Sequence, residues 1–107
     1  MRFLMFVLDD PDLAGTADES AVPWVEETTV KRTRLEGDRL RPVSDATTLW
    51  PKDGGGTFVS DGPFAETKEQ ICGYDILECA DLDEAVEVAA KHPMAKLGAI
   101  ELRPVWQ

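Results

Sequence analysis

Asp61-Gly-Pro-Phe-Ala-Glu-Thr-Lys-Glu-Gln70 separates two strand-like runs, Thr57-Phe-Val-Ser60 before it and Cys72-Gly-Tyr-Asp-Ile-Leu-Glu-Cys79 after it. It opens with a turn tetrapeptide and then packs four charged or amide side chains into five positions. Gly supplies unusual backbone angles and Pro stiffens the turn. A polar loop held between two strands is where a site is commonly built on a rigid scaffold. Reading outward from this loop in both directions gives the fold.

Upstream, Thr47-Thr-Leu-Trp50 and Thr57-Phe-Val-Ser60 flank Lys52-Asp-Gly-Gly-Gly56, which predicts a β-hairpin. Arg39-Leu-Arg-Pro42 reads as a short extended piece. A helix is expected from about Val22 to Leu35, capped by Ser20 or an earlier polar residue and closed by Gly37, against the preference of Thr28, Thr29, Val30 and Thr33. Pro11 to Ser20 reads as a polar loop. Phe3-Leu-Met-Phe-Val-Leu8 is an unbroken apolar run, expected to be a strand buried on both faces.

Downstream, Asp81-Leu-Asp-Glu84 has the pattern of a capping box. Leu82, Ala85, Val86, Ala89 and Ala90 form a helical stripe that Pro93 ends. Gly98 to Val105 alternates as a last strand. The order is strand, helix, strand, hairpin, strand, helix, strand. It predicts an α+β, ferredoxin-like βαββαβ sheet with an inserted β-hairpin and both helices on one face. A first strand apolar on both faces then needs cover from elsewhere. A second copy, pressed face to face, is the expected partner; the alternative is that the hairpin folds over its own sheet.

With 107 residues, one domain spanning 1–107 is expected. The formal net charge of −10 repels a phosphate backbone, and the Lys31, Arg32, Arg34 cluster is flanked by Glu26, Glu27 and Glu36. No nucleic-acid partner is therefore expected. The apolar run Phe3 to Leu8 is too short for a membrane helix or signal core, so neither membrane association nor export is expected. Cys72 and Cys79 fit no zinc spacing. On one strand they stand roughly 23 Å apart, too far for a disulfide. They read as buried thiols of a soluble, cytoplasmic protein. The sequence holds no glycine-rich nucleotide motif and no metal constellation, and no cofactor or metal is expected.

Four segments together resemble the DGPF-domain branch of the YCII-related family: Asp61 to Gln70, Gly73-Tyr74, Asp81-Leu-Asp-Glu-Ala85 and Glu101-Leu-Arg-Pro-Val105. Leu40-Arg-Pro42 fits the same pattern, and Pro11 to Arg34 matches poorly. The resemblance implies a dimeric α+β barrel. It also implies kinship with small-molecule lyases, isomerases, dehalogenating enzymes and cofactor-free monooxygenases, and with domains linked to extracytoplasmic-function sigma factors. The wider family's suspected acid/base apparatus is a His–Asp pair. His92, the one histidine, does not stand where that branch carries its own; Asp61 best matches the motif's Asp.

These readings give two functions to weigh. One is a cofactor-free enzyme acting on a small molecule in a cavity beside the loop. Asp61 would be the base, Lys68 and Glu66 its charged neighbours, and Tyr74 and Phe64 the substrate contacts. The other is a non-catalytic ligand-sensing or accessory module associated with transcriptional regulation. Each residue also has a structural reading. Asp61 would bond backbone N–H groups in its turn, the loop charges would pair, Phe64 would plug the core, and Tyr74 would pack. Trp24, Trp50 and Trp106 would line a pocket or anchor a subunit interface. His92 reads as a cation at a helix C-terminus.

Overall fold

A computed structural model describes residues 1–10 and 20–106. The loop expected over Pro11 to Ser20 thus lies outside the described residues except for Ser20. Strand β1 (Arg2–Asp9) lies between β5 (Gln70–Glu78) and β6 (Ala99–Pro104), and β2 (Arg34–Arg39) pairs with the far side of β5. All three pairings are antiparallel. The order β2-β5-β1-β6 is the ferredoxin-like arrangement. The hairpin of β3 (Thr47–Pro51) and β4 (Thr57–Asp61) forms a separate two-stranded sheet.

Alternation along β1 sends Phe3, Met5 and Val7 to one face, where they are buried. Helices α1 (Val22–Val30) and α2 (Leu82–Ala90) both cover that face. Trp24 from α1 and Ala85 and Ala89 from α2 join Phe3, Met5 and Leu77 in one core. Leu4, Phe6 and Leu8 point the other way and are half-buried. Their neighbours across the sheet are Ile76, Tyr74 and Ile71. Strand β1 is therefore sealed on one face only. No helix among the described residues is long and apolar enough to cross a membrane.

Helix α1 is shorter than expected. Its end is set by Arg32, at φ 60°, with Arg32 N–H donating to the Thr29 carbonyl and Thr33 N–H to the Thr28 carbonyl. That is a Schellman closure built on arginine instead of glycine. Thr29 and Val30 still belong to the helix, and the turn at Lys31–Arg32 leads through Thr33 into β2. At the front of α1, Ser20 Oγ accepts from Val22 N–H at 3.1 Å.

The capping box of α2 forms as the sequence predicts: Glu84 N–H donates to Asp81 at 2.9 Å, and Ala80 N–H donates to the Glu84 carboxylate. Of the expected stripe, Ala85 and Ala89 are buried, joined by the partly buried Val88. Leu82 and Val86 face outward, about half exposed. A four-residue helix α3 (Met94–Leu97) follows.

Gly37, expected to close a helix, lies in β2 opposite Asp75. A side chain at this position would stand 2.2 Å from the Asp75 carboxylate and 2.7 Å from Arg34. Glycine leaves the room that a buried ion pair needs: Arg34 Nε donates to Asp75 Oδ1 at 2.7 Å and Arg34 Nη2 to the Gly37 carbonyl at 2.6 Å. Burial pushes the Asp75 carboxyl up, with Arg34 pulling the other way. Desolvation therefore outweighs attraction, as it commonly does for buried pairs. Removing one member still leaves a buried charge without its partner.

In urea unfolding, Asp75→Ala should cost about 3 kcal/mol. Gly37→Ala should cost about 2 kcal/mol through overpacking. Gly73→Ala, whose added methyl meets its nearest atom at 3.3 Å, should cost clearly less. Equal costs at the two glycines would show that the ion pair does not set this constraint.

Candidate functional site

Strand β4 ends at Asp61, and the chain turns at Gly62, whose φ of +100° suits glycine. Gly62 N–H donates to the Ala46 carbonyl at 2.7 Å, and Thr48 Oγ1 donates to the Gly62 carbonyl at 2.8 Å. The turn is thereby tied to the start of β3. The loop beyond it is organised by one amide. Gln70 Nε2 donates to the carbonyls of Ala65 and Thr67 at 2.8 and 3.1 Å, while Thr67 Oγ1 donates to the Glu69 carbonyl. Glu66, Lys68 and Glu69 form no ion pair among the described residues. The loop is thus built on uncharged bonds, unlike the salt-bridged loop expected.

Beside this loop lies a hollow of about 560 Å³. Leu8 and Ile71, opposite each other on β1 and β5, form its floor. Leu40, Pro42 and Val43 make one wall, and Pro63, Phe64 and Ala65 the other. Its polar groups are Arg41 and Asp45, paired at 3.0 Å, with Thr67, Glu69 and Gln70. Phe64 does not plug the core. It is 75% exposed and stacks on Trp50, with ring centroids 5.2 Å apart. Trp50 is itself held by donating Nε1–H to Ser60 Oγ at 2.9 Å.

Of the residues singled out in the sequence, Phe64 lines the hollow. Asp61, Glu66 and Lys68 do not, although each is within two residues of one that does. All three are exposed, and Asp61 accepts no hydrogen bond among the described residues. Tyr74 stands elsewhere, on the open sheet face between Phe6 of β1 and Asp38 of β2. The Glu36 carboxylate, then burial and Asp38, hold its phenol above the ordinary range. Cys72 and Cys79 are free thiols; burial raises both, Cys79 to about 11. Thiols held that high are poor nucleophiles at neutral pH. Trp106 is fully exposed. No three His, Cys, Asp or Glu side chains are grouped to hold a metal among the described residues.

His92 differs most from its expected role. It is buried, meets Trp24 edge-on at 4.9 Å, and accepts Met94 N–H on Nδ1 at 3.0 Å. It is a neutral cap for α3, not a cation. Its place could have been read from spacing, because 85, 89 and 92 fall on one helical face. Burial lowers its pKa. The unfolded chain then takes up the proton more readily, so this contribution to stability is full above 6.5, the ordinary value, and falls as pH drops below it. His92→Gln should remove that acid slope, at most about 1.4 kcal/mol per pH unit. Urea midpoints between pH 7.5 and 5 check it; identical slopes in both proteins would refute a buried neutral imidazole.

Three comparisons bear on this geometry. The model of the YCII-related domain family matches residues 1–107. An uncharacterised protein of Rhizobium meliloti (strain 1021) is 46% identical over 69 residues, 63% of this chain and 55% of that relative. The chain thus matches about half the length of that curated relative. Among solved structures, 5-chloro-2-hydroxyhydroquinone dehydrochlorinase of Burkholderia phenoliruptrix AC1100, in complex with 2,5-dihydroxybenzoquinone, aligns with a TM-score of 0.54. That alignment covers 100% of this chain and 94% of the other at 17% identity, a likeness of fold.

Proposed function

The chain belongs to the YCII-related domain family, and from that premise we propose that it binds a small, flat molecule in the hollow beside the Asp61–Gln70 loop and acts on it without a cofactor, as a lyase- or isomerase-like enzyme. The hollow itself carries this reading. Its volume falls in the range of small-molecule sites, and its lining is mostly apolar with a few convergent polar groups. The aromatic wall of Phe64 backed by Trp50 suits a planar ring. The fold neighbour, solved with a dihydroxyquinone, suggests the ligand class to try first.

In this proposal one domain, 1–107, works as a homodimer with the two open sheet faces together. Tyr74 and the hollow floor lie on the same face, one step apart along the β1–β5 ladder. Joining two such faces puts Tyr74 beside the bound ring. Asp61, two residues from Pro63 of the lining, takes a proton from carbon; the C–H electron pair then forms a double bond as a leaving group departs as an anion, or the proton returns to another carbon in a double-bond shift, and neither outcome needs an electron acceptor. Lys68 and Glu66 set the charge around it. The free thiols fit a reducing compartment such as the cytoplasm.

A second reading, ligand sensing without turnover, is favoured by one observation. The lining holds neither histidine nor cysteine, and of its two carboxylates Asp45 is engaged by Arg41. Titration with hydroxylated benzoquinones, followed by ligand-observed NMR, tests both. Phe64→Ala should weaken binding about tenfold, near 1.4 kcal/mol. Asp61→Asn should abolish turnover and spare binding. Binding without any turnover selects the sensor. Binding indifferent to Phe64→Ala and Ile71→Asp rules out the hollow.

A further inference from the structure

The β3–β4 hairpin is apolar on both faces, and its own chain leaves much of each bare. Directly opposed residues share a face in an antiparallel pair. One face therefore carries Leu49 with Val59, 62% and 57% exposed, and the other Trp50 with Phe58, the latter 55% exposed. Neither strand packs extensively against another element. The alternative in which the hairpin folds over its own sheet is thus not what forms. At the tip, Gly54, Gly55 and Gly56 all have positive φ and carry no side chains. A lone two-stranded ribbon is marginal in water, so this one needs a surface to lie on.

The whole chain has the same excess. Its accessible surface is 7805 Å², where a monomer of 11.8 kDa exposes about 5,900 Å². Its radius of gyration is 15.8 Å, against about 13 Å for a compact chain of this length. The surplus, about 1,900 Å², is what each partner of an obligate dimer commonly buries. Bare apolar groups on the arm (Leu49, Phe58, Val59) and in the hollow (Leu40, Phe64, Ile71) contribute to it. The centre of the open sheet face, Leu4, Phe6, Tyr74 and Ile76, carries no charge, although the chain as a whole carries −10. A projecting apolar arm and a recessed apolar floor on one chain are self-complementary, which is what a closed two-fold assembly uses.

We propose that the hairpin is an exchange arm: it lies on the open face of a second copy and lays Leu49 and Val59 over that copy's hollow, so each binding site is built from two chains. The roofing of the site rests on the function proposed above, whereas the assembly does not.

Sedimentation equilibrium of the full chain, without ligand, tests it. The unmodified protein should weigh twice 11.8 kDa at micromolar concentration. The Leu49→Asp, Val59→Asp double variant should dimerise at least a hundredfold more weakly, with its helical far-UV signal retained because both side chains lie outside the core. A milder Leu49→Ser, Val59→Ser pair covers the case in which the charged variant misfolds. Leu82→Asp, on the outer side of α2, should leave the dimer intact. Ile71→Asp, on the floor, should also impair it, and mixing arm and floor variants should restore dimer mass, since one intact arm–floor contact survives. A monomeric wild type, a dimer indifferent to arm charges, or a mixture that stays monomeric would overturn the proposal. A dimer that behaves as stated but binds no quinone would reject the ligand reading alone.

Discussion

Two short helices can cover one face of a four-stranded sheet, and this limit governs the molecule. Phe3, Met5 and Val7 spend their hydrophobicity on a core closed by Trp24, Ala85 and Ala89. Leu4, Phe6 and Leu8 stay on a face that no helix among the described residues covers. The hollow is an extension of that uncovered side, because its floor is made by the last apolar pair of the same ladder, Leu8 and Ile71. The hollow and the uncovered sheet face therefore share one origin.

Much of this was legible in the residues. An unbroken apolar run predicts a central strand, and β1 is central. The alternation of helix and strand signals predicts the antiparallel ferredoxin-like order, and the glycine run marks the hairpin tip. The capping box at Asp81 forms as written. The errors cluster where one residue type serves two local structures. Gly37 suits a helix end as well as a strand, and only the pairing of β2 with β5 reveals that it makes room for Arg34 and Asp75. Arg32 closes α1 in the left-handed region, which few non-glycine residues adopt and no pattern announces.

The loop was legible as a turn between two strands, but its internal bonding was not. Its dense charges drew attention to Glu66 and Lys68, yet an amide, Gln70, holds the backbone. Side-chain amides resemble any polar residue in a sequence, and their partners here are carbonyls that only a folded loop presents. Phe64 looked like core because it is large and apolar. It sits on Trp50 at the surface instead, where its neighbour along the chain, Pro63, and the tied turn at Gly62 aim it outward. Asp75 was passed over because its burial comes from tertiary packing, which a single polar letter in a strand does not encode.

The central place of β1 has a consequence for biosynthesis. Its two ladder partners begin at Gln70 and Ala99, far along the chain. During translation Phe3 to Leu8 stay unpaired until both later strands leave the ribosome. Every ladder of the sheet closes late, and an order of this kind folds slowly and stays exposed to aggregation meanwhile.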